Sequence, residues 1–450
     1  MDHVLGSGGR ARRGGHVADK ETRTTLSART TDLLRDISAQ ILEAQRPIRV
    51  LRILAWGAEV ERRFFESQAR ELPKPEYKVP PEIGEAGNRF RALKAAVPGD
   101  SAIEVFLRDT CDAFATVARM LAAVGTRDFY HHSVELYGRP GSPTADRRTT
   151  NLDLAEHFSR VVDGVAGRAA IPSPQDEQVL GAEDVAPVLA QRFAKFFPGR
   201  EIKVELCDDI ASKAAAGVDG VRIKRGAQFS RRDLAQLEFH EGHVHVATAI
   251  NGRAQPLMSF IGYPSPRTTG TQEGLAVLTE FLTQSISIER MRRLSDRTLA
   301  IKMAEEGADF CQLYQFFLAR GHDESAAYDC ARRVCRGGLL GGGAPFTKDV
   351  CYLDGLLRVT NFLRVALVKG HLEYVPLFFA GKIEVEDVPL FGRLLREGIV
   401  KPPEHLPDWA RDLQYLTAFM SYSAFLGECD LVAERRRYED LISRAEDDMP

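Results

Sequence analysis

Apolar residues along most of this chain recur at three- and four-residue spacing. From Ser27 onward, Leu33, Leu34, Ile37, Ile41 and Leu42 mark one face of a helix. A second helical stretch runs from about Ile48 to Arg70, and Pro73, Pro75, Pro80 and Pro81 break it. Gly99, Asp100 and Ser101 supply turn and cap residues for a helix over about Ile103 to Val124. Gly138, Pro140, Gly141 and Pro143 then place a loop at 137–150, and Ala186 to Phe197 reads as helix again. Only after that does the period change to two. Ile202, Val204 and Leu206 alternate with Lys203 and Glu205, and Val221 and Ile223 mark a second short strand. Gly217-Val218-Asp219-Gly220 is a turn between them. The second strand, with Lys224 and Arg225 behind it, is expected at a sheet edge, where a peptide could add as a further strand. Ser230 and Asp233 are spaced to cap the next helix. The rest reads as helix, interrupted at Pro256 to Thr271, Gly337 to Pro345 and Pro402 to Pro407. No internal repeat is present. The expected fold is α+β and mainly helical, with a small sheet. Residues 1–26, rich in Gly and Arg, are expected to be a disordered tail. Residues 27–165 are expected to form a helical part packed on a catalytic part, 166–450.

Composition narrows the function classes. The 450 residues are 44% hydrophobic and 27% charged, ordinary values for a globular chain. Sixty basic and 63 acidic residues leave a net charge of -3, so no global field favours nucleic acid or an anionic membrane. No apolar run reaches the ~18 residues of a membrane span, and the first 25 residues hold no secretory apolar core. The seven cysteines are scattered and odd in number, which reads as reduced thiols in a cytoplasmic protein. Cys330 and Cys335 lack a second pair at finger-like spacing.

The chemistry concentrates in His240-Glu241-Gly242-His243-Val244-His245, where three of eleven histidines fall within six residues. Two strands followed by a helix bearing His and Glu is the layout in which zincins place their metal. Neutral imidazoles bind zinc, and a neighbouring glutamate can deprotonate water activated there. The spacing leaves two solutions. His240 and His243, at i and i+3, share a face of a regular helix. His240 and His245, at i and i+5, would lie about 140° apart on a regular helix. One extra residue accommodated as a π-bulge restores them to one face. Geometry alone slightly favours His243. A third ligand from a following helix fits Glu273, with Glu280, seven residues on, as the rival. Thr271 is expected to cap that helix and Gly274 to permit a close approach.

Thr271-Gln272-Glu273-Gly274-Leu275-Ala276 and Gly341-Gly342-Gly343-Ala344-Pro345-Phe346-Thr347-Lys348-Asp349, following the histidine motif in order, make a specific resemblance. The chain resembles bacterial members of the QEGLA-motif family, related to the microtubule-associated tyrosine carboxypeptidases, over roughly residues 30–430. The resemblance implies a zincin-like metallopeptidase with one zinc ion held by His240, His245 and Glu273, and therefore the bulged helix. It also implies removal of a C-terminal residue from a peptide or protein.

A carboxypeptidase needs a general base, an oxyanion donor and cations for the terminal carboxylate. The candidates are Glu241 as base, Tyr352 as oxyanion donor, and Lys348 and Arg336 for the carboxylate. The glycine run before Pro345 is not a phosphate loop, because no Gly-Lys-Ser/Thr follows it. The alternative function is a zinc-stabilised regulatory or binding protein without peptidase activity. Retention of Glu241 beside the ligand argues for the enzyme.

Overall fold

The structure is a computed structural model and describes residues 28–144, 147–166, 179–208, 210, 212–217, 219–428, 432 and 435–439. The tail expected at 1–26 lies outside the described residues. The described chain is mainly helical with two small sheets. No helix among the described residues is long and apolar enough to cross a membrane.

Helix Ala28–Ala44 opens the chain. The stretch after it divides into Val50–Ile53 and Ala58–Glu66. Between the two halves the buried Trp56 donates from Nε1 to the Tyr77 hydroxyl at 2.7 Å. Helix Ala102–Ala122 starts at the Ser101–Glu104 capping box, a device worth about 1 kcal/mol. It buries Ile103, Phe106, Leu107, Thr110, Phe114, Val117, Ala118 and Leu121 along one stripe. Helix Glu82–Ala96 packs against it closely, since a Cβ on Gly87 would lie 3.0 Å from Ala118 Cβ.

Strands β1 (Leu180–Gly181), β2 (Lys203–Cys207), β3 (Ala214–Ala216), β4 (Gly220–Lys224) and β5 (Gln228–Phe229) follow. β1 pairs with β5 antiparallel. In the other sheet the order is β2-β4-β3, with β2 parallel and β3 antiparallel to β4. The strand expected at an edge, β4, is therefore central. The two edges go to β2 and to β3 instead. The three alanines of β3 carry no alternation, so their pairing was invisible in the pattern of apolar residues.

Helices Thr269–Leu282 and Cys351–Val368 cross at their glycines. A Cβ on Gly274 would lie 2.0 Å from the carbonyl carbon of Gly355, and one on Gly355 would lie 1.9 Å from the Gly270 carbonyl oxygen. Only hydrogen at these positions lets the backbones touch. One core cluster runs from Leu34 through Phe106, Val244, Leu275 and Tyr352 to Met420. A second surrounds Trp56, Phe310 and Tyr328, and a third covers the sheet with Phe193, Ile223, Leu234 and Val246. The histidine-bearing helix joins the first and third, with Val244 in one and Val246 in the other.

Candidate metal centre

Helix Arg231–Leu237 begins at the expected Ser230–Asp233 capping box. It continues as a π-helix over Glu238–Val246 and returns to α at Ala247–Arg253. The wider turn changes which residues share a face. His240 and His245 face one another with ring centroids 4.9 Å apart. His243 points elsewhere. It stacks on Phe196 at 3.6 Å between centroids and meets the edge of Phe239, and neither ring nitrogen has a hydrogen-bond partner. Burial holds His243 neutral, its pKa pushed down to about 3. Between the two pairings left open by the spacing, the structure brings His245 to His240.

Glu273 comes from helix Thr269–Leu282, at the glycine crossing. Its Oε2 is buried without a hydrogen-bond donor and lies 3.5 Å from His240 Nε2 and 3.6 Å from His245 Nε2. The three ligand atoms all lie within 4.8 Å of one another. Two ligands on one tetrahedral zinc, each ~2.0–2.1 Å away, are about 3.3 Å apart. A buried, unpartnered carboxylate oxygen facing two imidazole nitrogens at nearly that spacing fits a divalent metal. Among the described residues this is the one such group of histidine, cysteine and carboxylate donors. Cys330 and Cys335 are both free thiols outside it.

The surroundings fix the candidate ligands. Glu280 is fully buried and accepts from His240 Nδ1 at 2.7 Å, from Gln236 Nε2 at 3.1 Å, and from Arg290 Nε and Nη2 at 3.1 and 2.9 Å. The rival ligand is thus a partner of the ligand, a common arrangement for metal-bound histidine. Burial opposes ionisation of Glu280, but Arg290 and His240 outweigh it and hold its pKa down at about 2. Burial would lower His240, yet the neighbouring Glu273 and Glu280 carboxylates raise it to about 9. Glu273 is held well below the carboxylate range, with Lys348 and both histidines overcoming its desolvation. Thr271 does not cap the ligand helix. Thr268 precedes the first turn, and Thr271 Oγ1 accepts from the Val385 amide at 3.0 Å.

The other candidates fall around this group. Glu241 is held from the sheet edge, its Oε2 accepting from the Ala216 amide of β3 at 2.7 Å. Lys348 Nζ sits 3.3 Å from Glu273 Oε1 and 5.5 Å from the centre of the Tyr352 ring. Tyr352 is buried, with Arg290 and Arg297 also over its ring. Burial and the Glu273 charge push its hydroxyl up to about 12, so it stays a donor. Arg336 is buried against Phe346, 5.7 Å from the ring centre, and its Nε has no partner. Burial, reinforced by Arg333, lowers Arg336 to about 10. Arg333 makes a two-point contact with Asp349 at 2.8 Å per bond. Neither Arg290 nor the Ala216 amide had a sequence signal, since each acts through the fold alone.

No curated protein matches the chain. A family described as microtubule-associated tyrosine carboxypeptidase matches residues 62–428. That span covers most of the chain, all five strands and the π-helix included, and so the chain belongs to the microtubule-associated tyrosine carboxypeptidase family.

Proposed function

We propose that this chain is a zinc metallopeptidase of zincin-like architecture that removes a C-terminal residue from a peptide or protein. The observation that carries the reading is the buried, unpartnered Glu273 Oε2 facing His240 Nε2 and His245 Nε2. Two nitrogens and one oxygen, leaving a fourth position, are the donor set of a catalytic zinc site. When bound, the ion supplies a Lewis acid for the scissile carbonyl and for water.

The chain's own residues do the rest. Glu241, oriented through Oε2 by the Ala216 amide, keeps Oε1 for the proton of the attacking water and passes that proton to the leaving amine. The Tyr352 hydroxyl, protonated across the neutral range, donates to the developing oxyanion. Lys348 and Arg336 receive the substrate's terminal carboxylate. For Arg336 the support is a buried guanidinium with no carboxylate at ion-pair distance among the described residues. Lys348 is free to turn to substrate once Glu273 commits its charge to the ion.

The test is Glu241→Gln, assayed by mass spectrometry on a library of peptides with free C-termini. Zinc content should stay at the wild-type level while C-terminal trimming falls by roughly 10²- to 10⁴-fold. Trimming at the wild-type rate would overturn the assignment of the base. Loss of zinc with no trimming by either protein would favour a structural site.

A further inference from the structure

The segment Gly381–Lys382 approaches the metal centre from behind. Gly381 is needed there, because a Cβ would lie 2.5 Å from Ile261 Cγ1. The Lys382 amide donates to the Ile261 carbonyl at 2.6 Å. Two buried side-chain amides hold the preceding residues, Asn251 in the helix that continues the π-helix and Gln255 just past its end. Asn251 Nδ2 donates to the Phe379 carbonyl at 2.9 Å, and Gln255 Nε2 to the Ala380 carbonyl at 3.1 Å. The backbone that carries Lys382 is therefore fixed to the ligand-bearing helix.

The Lys382 side chain spends its donors on three oxygens. They are the His245 carbonyl at 3.0 Å, Thr248 Oγ1 at 3.1 Å and Gln272 Oε1 at 3.1 Å. Thr248 Oγ1 in turn has two acceptors at 2.8 Å, the Val244 carbonyl and Gln272 Oε1, so the hydroxyl belongs to the same junction between the helices. Among the described residues no carboxylate lies at ion-pair distance from this ammonium. An ammonium has three N–H donors and each has an acceptor here. A cation turned inward onto neutral oxygens costs desolvation that a surface lysine avoids, so an ordinary solvated lysine does not account for it.

We propose that Lys382 is a positioning residue for the metal centre. Its ammonium joins the carbonyl of His245 to the side chain of Gln272, the neighbour of Glu273, and so fixes the spacing of the two ligand-bearing helices. The inference rests on the metal reading of His240, His245 and Glu273. The physical need comes from the π-helix. Reversion to regular α geometry shifts the register by one residue, about 100° around the axis, and carries His245 away from Glu273. A carbonyl pinned from outside the helix resists that rotation. Gln272 makes the restraint reach the second helix directly, without passing through the ligands.

The experiment compares wild type, Lys382→Met, Lys382→Arg, Gln272→Met and the double variant Lys382→Met/Gln272→Met. Zinc affinity is read by competition with a chromophoric chelator, and ligand geometry by the visible absorption of the cobalt(II)-loaded protein. Lys382→Met should bind zinc about 10- to 100-fold more weakly, the usual loss for an outer partner of a metal ligand, with an altered cobalt spectrum. Lys382→Arg should recover part of the affinity. The double variant should lose no more than the worse single variant, because both substitutions cut one link. Should Lys382→Met fail to fold, Gln272→Met breaks the same link together with the Thr248 contact, and its zinc affinity should fall at least as far. A folded variant with a lower melting temperature but wild-type zinc affinity and cobalt spectrum overturns the proposal, as do losses that multiply in the double variant. Failure of the wild type to bind either metal overturns the metal reading itself, and this inference with it.

Discussion

Glu280→Gln tests how the metal centre is held. The side chain is fully buried and gathers four hydrogen bonds, from His240, Gln236 and twice from Arg290. Glutamine keeps the shape but replaces one acceptor oxygen by an NH2 group and removes the charge. The Arg290 side chain, 10% exposed, then becomes a buried cation without its partner. Breaking a buried pair from one side costs ~3–5 kcal/mol. With an unfolding entropy of ~2.1 cal/mol/K per residue, some 400 ordered residues give ~0.8 kcal/mol/K, so the melting point should fall by ~4–6 °C. The effect on metal is separate. His240 loses the carboxylate that orients its ring, and zinc affinity should drop ~10- to 100-fold. Scanning calorimetry of the metal-free proteins reads the first effect, and chelator competition reads the second. A Glu280→Gln protein with unchanged melting point and unchanged zinc affinity would refute the reasoning, because neither the ion pair nor the histidine bond would then matter.

Three further outcomes follow from the same structure. Gly274→Ala places a Cβ 2.0 Å from the Gly355 carbonyl carbon, and backbone cannot yield as a side chain does. We expect at least the ~1–3 kcal/mol of an overpacked core, visible as a lower denaturation midpoint. Ala216→Pro removes the amide that orients Glu241 while leaving the edge strand tolerable to proline. A hydrogen bond to a charged group is worth ~1.5–3 kcal/mol, so kcat should fall ~10- to 100-fold with zinc content unchanged. We also propose that 27–165 and 166–450 fold as one unit, because one apolar cluster holds Leu34, Phe106, Val244 and Tyr352 together. A fragment starting near residue 166 should be unfolded by circular dichroism, and a stable fragment would count against it.

Much of the helical layout was legible because burial of one face leaves a period in the sequence. Ser101 and Ser230 marked helix starts for a local reason, their side chains closing onto amides three residues away. The ligand residues were legible as types, since histidine and glutamate at close spacing are costly to cluster without a use. The choice between His243 and His245 was not. A π-turn inserts no recognisable residue, and regular geometry pointed slightly to His243, which the structure turns away from His240. Resemblance gave His245, and the packing of His243 onto Phe196 shows what the spare histidine does instead.

What the sequence by itself determined, then, is local: helix starts and stops, one strand pair's alternation, and a dense group of candidate metal ligands. Tertiary structure alone decided the rest, because those features depend on residues far apart in the chain. β3 became an edge through pairing with β4, three alanines having no pattern of their own. Glu280 turned from rival ligand to partner of His240 because Arg290, on the next helix, neutralises it in the interior. Glu273 reached the histidines because Gly274 and Gly355 let two helices touch. Lys382, more than a hundred residues beyond His245, met its carbonyl only once Gly381 had packed on Ile261. Sequence spacing carries no record of such contacts, since the energy that selects them is paid between elements and not within them.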